Sequence, residues 1–403
     1  MSVFLEVVGA LLLGLGSGVI TGIAPGIHVN LVAVIMVSLS PFLLEFTSPL
    51  VLCVYIISLG ITHTFCDGIP SVYLGAPDES KVLSVLPGHR MLRVGKGHLA
   101  IMLLTFGAFA SLVLGLFFVP LFLWGMVVLQ PLVSVWVGYV LIVIVLLLIL
   151  REKDKWIYAL GAFLLSGVLG VLVFGVKGLS QPLFPLLSGL FGLSLLIESI
   201  SENTTIPEQS SESEVELGWS KGARAVGSAT GMGFIAAFLP GFGSSQAAIV
   251  ATKFAGDIGE EGFMVLVGGI NTANVLLSIV AIYAINKARN GAIVAVQNLM
   301  GAVGLSEMLL FLGVAVVVGA LATIVTLRLS RIFGRLIATV NYAALVRAII
   351  LFIVLLAFLF DGFVGVVILG VSTAIGILVS KWGVGKNHLL GCLLLPVILY
   401  FVG

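Results

Sequence analysis

Long apolar runs separated by short polar breaks make up almost the whole chain. The run from Leu132 to Leu150 contains no charged residue, and roughly 20 such residues cross a bilayer as a helix. Similar runs lie at 4–23, 49–65, 99–119, 157–176, 181–197, 223–239, 263–285, 304–327, 343–360, 362–380 and 388–402. Shorter pieces at 29–44, 244–252 and 291–303 predict half-helices or re-entrant segments. The pattern predicts an all-α, multi-pass protein of the cell membrane with about 10 to 12 crossings.

Composition agrees with this class and narrows the function. Apolar residues make up 60% of the 403 positions and charged residues only 9%, whereas a soluble domain has about 25% charged residues. A net charge of +1 without a basic stripe argues against a nucleic-acid partner. Cys53, Cys66 and Cys392 are scattered in apolar segments without metal-ligand spacing, so we expect small buried side chains and no metal site.

Two motifs, 215 positions apart, interrupt apolar helices in the same way. The first reads Gly18-Val-Ile-Thr-Gly-Ile-Ala-Pro25-Gly26-Ile-His28-Val-Asn30, and the second reads Gly233-Phe-Ile-Ala-Ala-Phe-Leu-Pro240-Gly241-Phe-Gly243-Ser244-Ser245. A Pro-Gly step breaks the helix and leaves backbone polar groups that hydrocarbon cannot satisfy. Matched interruptions in two halves of a membrane protein indicate the substrate site of a transporter.

A polar, Ser-rich and acidic linker at 199–219 divides the chain into two repeats, 1–198 and 220–403, which we expect to be inverted. Loop charge supports inversion: the basic loop containing Lys81, Arg90, Arg93 and Lys96 contrasts with the acidic loop containing Asp257, Glu260 and Glu261. Basic loops mark the cytoplasmic side, so the two loops are expected on opposite sides. The loops at 151–155 and 328–335 are both basic, which strict inversion does not predict.

The two helix breaks are candidate anion-binding sites. A half-helix that begins inside the membrane has backbone N–H groups without partners and a partial positive charge, which together bind anions. The other interpretation is a proline-kinked helix packed closely on a neighbour. The candidate substrate-binding residues are Pro25, Gly26, His28, Asn30, Pro240, Gly241, Gly243, Ser244, Ser245, Asn271 and Asn274.

Ion coupling is assigned to Asp67 and His63. An ionisable residue at the end of an apolar run is costly unless it is paired or functional, so Asp67 is expected to bind Na⁺ or relay a proton. His63 is either a proton acceptor or a neutral hydrogen-bonding residue. The alternative for Asp67 is a turn residue, because Asp-Gly is a strong turn signal. No cofactor other than Na⁺ or H⁺ is expected.

These motifs resemble the TctA family, the large membrane subunit of tripartite tricarboxylate transporters. The similarity rests on Pro25-Gly26, on Pro77-Asp78 with the run Gly88–Gly97, on Leu239–Gly243 and on Gly269–Asn274, in family order. The chain is shorter than is usual for the family. His28 replaces the second glycine of the family's first Pro-Gly-x-Gly, and Gly269 stands where the family has glutamate.

The resemblance implies a secondary transporter and not an enzyme. It would move a small organic anion, a di- or tricarboxylate, by symport with Na⁺ or H⁺, with a small membrane subunit and an extracytoplasmic binding protein. The alternative is a translocase for polyprenyl-phosphate lipid carriers. Two other classes are weaker: an intramembrane enzyme using His63 and Asp67, which lacks further paired catalytic residues, and a structural role, which leaves the duplicated breaks unexplained.

Overall fold

The computed structural model describes residues 3–24, 29–75, 83, 85–150, 152–201, 207–210, 214–239, 243–288, 290–339 and 342–402. Regular structure in these residues is entirely helical, which confirms the all-α class. The helices in chain order are α1 (Val3–Ile23), α2 (Val29–Leu43), α3 (Pro49–Cys66), α4 (Val85–Arg93), α5 (Gly97–Phe117), α6 (Val119–Leu150), α7 (Trp156–Gly175), α8 (Leu183–Leu187), α9 (Ser194–Ser201), α10 (Trp219–Phe238), α11 (Ser244–Ala255), α12 (Gly259–Ile285), α13 (Gly291–Met300), α14 (Leu305–Thr339), α15 (Tyr342–Trp382) and α16 (Gly391–Val402). Short π or 3-10 helices lie at Pro70–Leu74, Lys153–Lys155, Ser188–Leu193 and Lys386–Leu390.

Seven of the described helices are long and apolar enough to cross a bilayer, which confirms a multi-pass membrane protein. They are Val3–Ile23, Pro49–Cys66, Gly97–Phe117, Trp156–Gly175, Gly259–Ile285, Leu305–Ile337 and Val346–Trp382. Helix Val346–Trp382 is bent at Gly362, whose φ of 61° is left-handed. The bend lies where the predicted runs 343–360 and 362–380 meet. Shorter apolar helices accompany these seven, and the total number of crossings stays a prediction.

Both predicted breaks separate two helices. Helix α1 ends at Ile23 and α2 begins at Val29; likewise α10 ends at Phe238 and α11 begins at Ser244. The intervening residues 25–28 and 240–242 lie outside the described residues. The segments predicted as half-helices are short, since α2, α11 and α13 have 15, 12 and 10 residues.

The first helix of each repeat packs parallel to the third. In α1, a methyl group added to Gly18 would lie 2.5 Å from Thr62 Cβ, and Gly22 meets Cys66 in the same way. In the second repeat, Gly233 of α10 abuts Ala273 of α12. Because glycine has no side chain, the paired helices approach closely in both halves.

Helices of each repeat pack against helices of the other repeat. Helix α5 of the first repeat packs along α12, and α14 of the second packs along α3. Helices α3 and α12 run antiparallel, because Thr64 lies beside Thr272 at 3.0 Å while the earlier residue Gly60 lies near the later residue Val275. The two equivalent helices thus run in opposite directions, and the inverted relation of the repeats stays a prediction.

The expected separation of the charged loops is wrong. Arg90 Nη1 donates to Glu260 Oε1 at 3.1 Å, so the basic and acidic loops lie at the same end of the molecule. The prediction compared two loops that are not structurally equivalent. The acidic loop precedes α12, and its structural counterpart is the segment before α3, at 44–48, whereas the basic loop follows α3.

The linker connects two helical ends and makes defined contacts. Helix α9 ends at Ser201 and α10 begins at Trp219. Between them, Gln209 donates from Nε2 to the Leu92 carbonyl at 3.0 Å and accepts from the Gly97 amide at 2.9 Å. This part of the linker therefore packs against the connection between α4 and α5. The repeat boundaries at 198 and 220 stay predictions.

Candidate functional site

Two helical hairpins approach the centre of the molecule from opposite ends. The first hairpin consists of α1 and α2, and the second consists of α10 and α11. In the second, Arg224 near the start of α10 donates to the carbonyls of Ala255 and Asp257 at 3.1 Å each, so α11 returns to the end where α10 began. In the first, α2 leads back to the start of α3, since five residues separate Leu43 from Pro49.

The described residues next to both breaks, Gly22 in α1 and Ser244 in α11, lie at the depth of Asn271. This residue is near the middle of α12, whose 27 residues span about 40 Å. Gly22, close to the end of α1, contacts Cys66 next to Asp67, and Ser244 begins α11 within hydrogen-bonding distance of Asn271. Asn271 thus lies near the middle of a helix that is long enough to cross a bilayer, and broken-helix transporters bind their substrates near the membrane midplane.

A buried hydrogen-bond network joins the two repeats at this depth. Asn271 Nδ2 donates to Asp67 Oδ2 at 3.2 Å, and Asn271 Oδ1 accepts from the Ser244 hydroxyl at 3.3 Å. Asn274 Nδ2 donates to Ser244 Oγ at 3.3 Å, and Ser278 donates to the Asn274 carbonyl at 2.7 Å. Three elements therefore converge here: the end of α3, the start of α11 and the middle of α12.

Asp67 lies at a helix end, as expected for a turn residue, and is also buried, as expected for an ion-coupling residue. It is the C-terminal cap of α3, and its backbone N–H donates to the His63 carbonyl. Its side chain is nevertheless only 1% exposed, because Asn271 and neighbouring helices cover it. A π-helical turn at Pro70–Leu74 follows and ends at Gly75 in the left-handed conformation. Asp67 is thus a helix-end residue inside the protein and not at its surface.

His63 lies one turn before Asp67 and faces α1. Its Nδ1 is 3.1 Å from Thr21 Oγ1, and the Thr21 hydroxyl donates to the Gly18 carbonyl at 3.2 Å. The sequence analysis did not select Thr21. Its position inside the first glycine-rich motif, one residue before Gly22, was the available signal.

The start of α11 has the features of an anion-binding helix end. Gly243, the N-cap residue, has extended backbone and no side chain that could cap the first turn. Ser244, Ser245 and Gln246 are buried, with exposures of 6%, 1% and 4%. Within the described residues, Gln246 Oε1 is buried without a hydrogen-bond partner. Backbone N–H groups at such an end carry a partial positive charge.

The structure thus brings together Asp67, His63, Gly243, Ser244, Ser245, Asn271 and Asn274 from the predicted set. Pro25, Gly26, His28, Pro240 and Gly241 lie outside the described residues. Asn30 is in the first turn of α2, where only its backbone is described.

Close packing explains the glycine at position 269. A side chain there would overlap the Ser111 hydroxyl and would come within 2.8 Å of Ala229 Cβ. A glutamate, which the family has at this position, does not fit this contact between α5, α10 and α12. In the described part of the site, the buried carboxylate comes from the other repeat, as Asp67.

This combination of long apolar helices, opposed hairpins and a buried polar centre defines a multi-pass membrane protein of the transporter class. The profile described as the tripartite tricarboxylate transporter TctA family matches residues 8–391, and the chain belongs to this family. The chain is therefore a transporter component and not an enzyme, as the sequence predicted. Transporters of this family also contain a small membrane subunit and an extracytoplasmic binding protein.

A curated relative is similar over almost its full length. The chain is 28% identical to the uncharacterized protein MJ1079 of Methanocaldococcus jannaschii over 402 residues, which cover 97% of this chain and 98% of the relative. No solved structure matches the chain.

Proposed function

We propose that this protein is the permease of a secondary transporter for a small carboxylate-bearing solute, bound between the two hairpin tips. The observation that carries the proposal is the buried network in which Asn271 joins Asp67 to Ser244 at the first turn of α11. A carboxylate at this helix end would accept hydrogen bonds from backbone N–H groups and from the Ser244 and Ser245 hydroxyls. Asn271 and Asn274 would orient it.

The coupling ion would act through Asp67, with His63 one turn away. Na⁺ would bind the Asp67 carboxylate, or the carboxylate would take up a proton. The family name suggests di- and tricarboxylates as solutes. A small membrane subunit and an extracytoplasmic binding protein are the partners that we propose for this chain.

The lipid-carrier alternative requires a site that opens towards the bilayer. Ser244, Ser245 and Asn271 are at most 6% exposed, so the described part of the site is enclosed by protein. Burial of these residues supports a small water-soluble solute in preference to a polyprenyl phosphate.

Uptake into proteoliposomes tests the proposal. Labelled carboxylates are offered with an imposed Na⁺ or proton gradient, and wild type is compared with Gly26→Val and Gly241→Val, which obstruct the approach of a solute to the backbone at each break. Both variants should insert into the membrane but lose uptake. Normal uptake by both would contradict a site at the breaks. Movement of a short-chain polyprenyl phosphate without carboxylate uptake would favour the lipid carrier.

A further inference from the structure

Basic residues are concentrated at the end of the molecule that carries the contact between Arg90 and Glu260, here called the basic end. The opposite end has Lys177, after α7, and Lys287, after α12. Basic residues near the ends of membrane-spanning helices mark the cytoplasmic side, so this rule assigns the basic end to the cytoplasm. The described basic residues at this end include Arg90, Arg93, Lys96, Lys155, Lys221, Arg224, Lys253, Arg331, Arg335, Lys381 and Lys386.

A cavity of about 480 Å³ lies at the basic end, between the two repeats. The exposed Arg90–Glu260 pair lies at its mouth, and Lys386 forms part of its wall. Its deeper lining includes Phe191 and Ile249, which are both buried. The cavity therefore extends from the surface of the basic end to helix α11.

The charged side chains on the far wall of this cavity are paired. Lys386 Nζ donates to Ser194 Oγ at 3.0 Å and lies 3.8 Å from Glu198 Oε2. Glu152 Oε1 is 3.0 Å from His388 Nε2. Charged side chains between membrane helices pair with one another or face water-filled cavities, so this wall suits water and a polar solute better than a lipid tail.

One face of α11 connects the cavity to the proposed solute site. Ile249 and Thr252 line the cavity, and Ser245 lies on the same face, because positions i, i+4 and i+7 of a helix are on one side. Ser245 is about 6 Å from Ile249 along the helix axis. It follows Ser244, which donates to Asn271. About one turn of α11 therefore separates the cavity from the site.

We infer that the basic end faces the cytoplasm and that this cavity is the vestibule through which the solute passes between the site and the cytoplasm, past Ile249 and Thr252. The inference rests on the proposed function, because it describes the route to the same site. It also fixes the orientation: α12 begins at Gly259 on the cytoplasmic side, and the antiparallel helix α3 begins at Pro49 on the outer side.

Sided thiol labelling tests the orientation and the vestibule. The three native cysteines are replaced by alanine, and Thr252→Cys is treated with a membrane-impermeant thiol reagent in right-side-out and in inverted vesicles. We expect labelling in inverted vesicles only, as for the control Trp219→Cys at the exposed start of α10. The second control is Glu45→Cys, exposed in the turn before α3, which should be labelled in right-side-out vesicles only.

Two labelling results would overturn the inference. Labelling of Thr252→Cys in right-side-out vesicles alone would reverse the orientation. No labelling of Thr252→Cys in either preparation, with both controls labelled, would show that the cavity is closed to water, as a cavity filled by a lipid tail would be.

Thr252→Trp provides the second arm, because the larger side chain would fill part of the cavity. Uptake should be lost while the solute still raises the melting temperature, since the site itself is unchanged. Phe254→Trp, at an exposed position of the same helix, is the matched control and should keep uptake. Normal uptake by Thr252→Trp would overturn the vestibule while leaving a carboxylate permease in place. Carboxylates that neither stabilise the wild type nor enter its proteoliposomes would contradict the proposed function, and the labelling pattern would still decide the orientation and the access of water.

Discussion

Replacing Asn271 by leucine removes the side chain that connects Asp67 to Ser244. Asn271 donates to Asp67 at 3.2 Å and accepts from Ser244 at 3.3 Å, and it is 6% exposed. A hydrogen bond to a charged group contributes about 1.5 to 3 kcal/mol, and one between neutral groups about 0.5 to 1.5 kcal/mol. Together they amount to about 2 to 4.5 kcal/mol, which is the folding stability that the variant should lose. If the network also positions the solute, solute affinity should fall at least about tenfold.

The assay is solute binding and proteoliposome uptake by Asn271→Leu, with the melting temperature recorded in the same preparation. Thr323→Val is the matched control, because Thr323 lies on α14 and its hydroxyl donates to the Gly319 carbonyl within its own helix at 2.8 Å. The control should keep both binding and uptake. If Asn271→Leu folds and takes up solute within about threefold of wild type, the network does not position the solute.

Three further predictions concern packing, pH and a carboxylate that binds two loop amides. Gly18→Leu should force α1 away from α3 and lower stability by about 2 to 3 kcal/mol, whereas Gly9→Leu, with open space around it, should not; equal melting temperatures would contradict the close contact. Burial lowers the pKa of His89 from 6.5 to about 4, so the unfolded chain binds the proton first and stability should fall by up to about 3 kcal/mol between pH 6.5 and 4. His89→Gln should lose less over this range, and a wild-type melting temperature independent of pH would refute this. Asp361 Oδ1 accepts from the Ser180 and Gln181 amides, so Asp361→Ala should destabilise by about 2 to 4 kcal/mol, and an unchanged melting temperature would show that these two hydrogen bonds are dispensable.

The helices and their interruptions were predictable because hydropathy and Pro-Gly steps are local signals. The apolar runs gave the class, and the breaks before Val29 and before Ser244 lie where the motifs indicated. Ser244 of the second motif and Asn271 of the stretch Gly269–Asn274 also lie in one site. Here the sequence was sufficient because broken-helix backbone and polar side chains are costly in hydrocarbon unless they have partners.

The pairing across the repeats was not predictable from one sequence. Asp67 and Asn271 are 204 positions apart, and no local pattern indicates that α3 and α12 cross antiparallel at this point. The charged loops were compared in the wrong register for the same reason, since counting from the breaks did not show which loop precedes α12. The need for glycine at 269 likewise depends on Ser111 and Ala229, which belong to other helices.

Thiol labelling at position 244 tests the central claim, a solute site at the hairpin tips, most directly. Cys53, Cys66 and Cys392 are first replaced by alanine, and Ser244→Cys is treated with a small polar thiol reagent with and without the stabilising solute. Trp219→Cys is the control, because Trp219 is 88% exposed at the start of α10 and should be labelled whether or not solute is present. We predict that the solute protects Ser244→Cys alone. Equal labelling of Ser244→Cys with and without saturating solute would contradict a site at the hairpin tips.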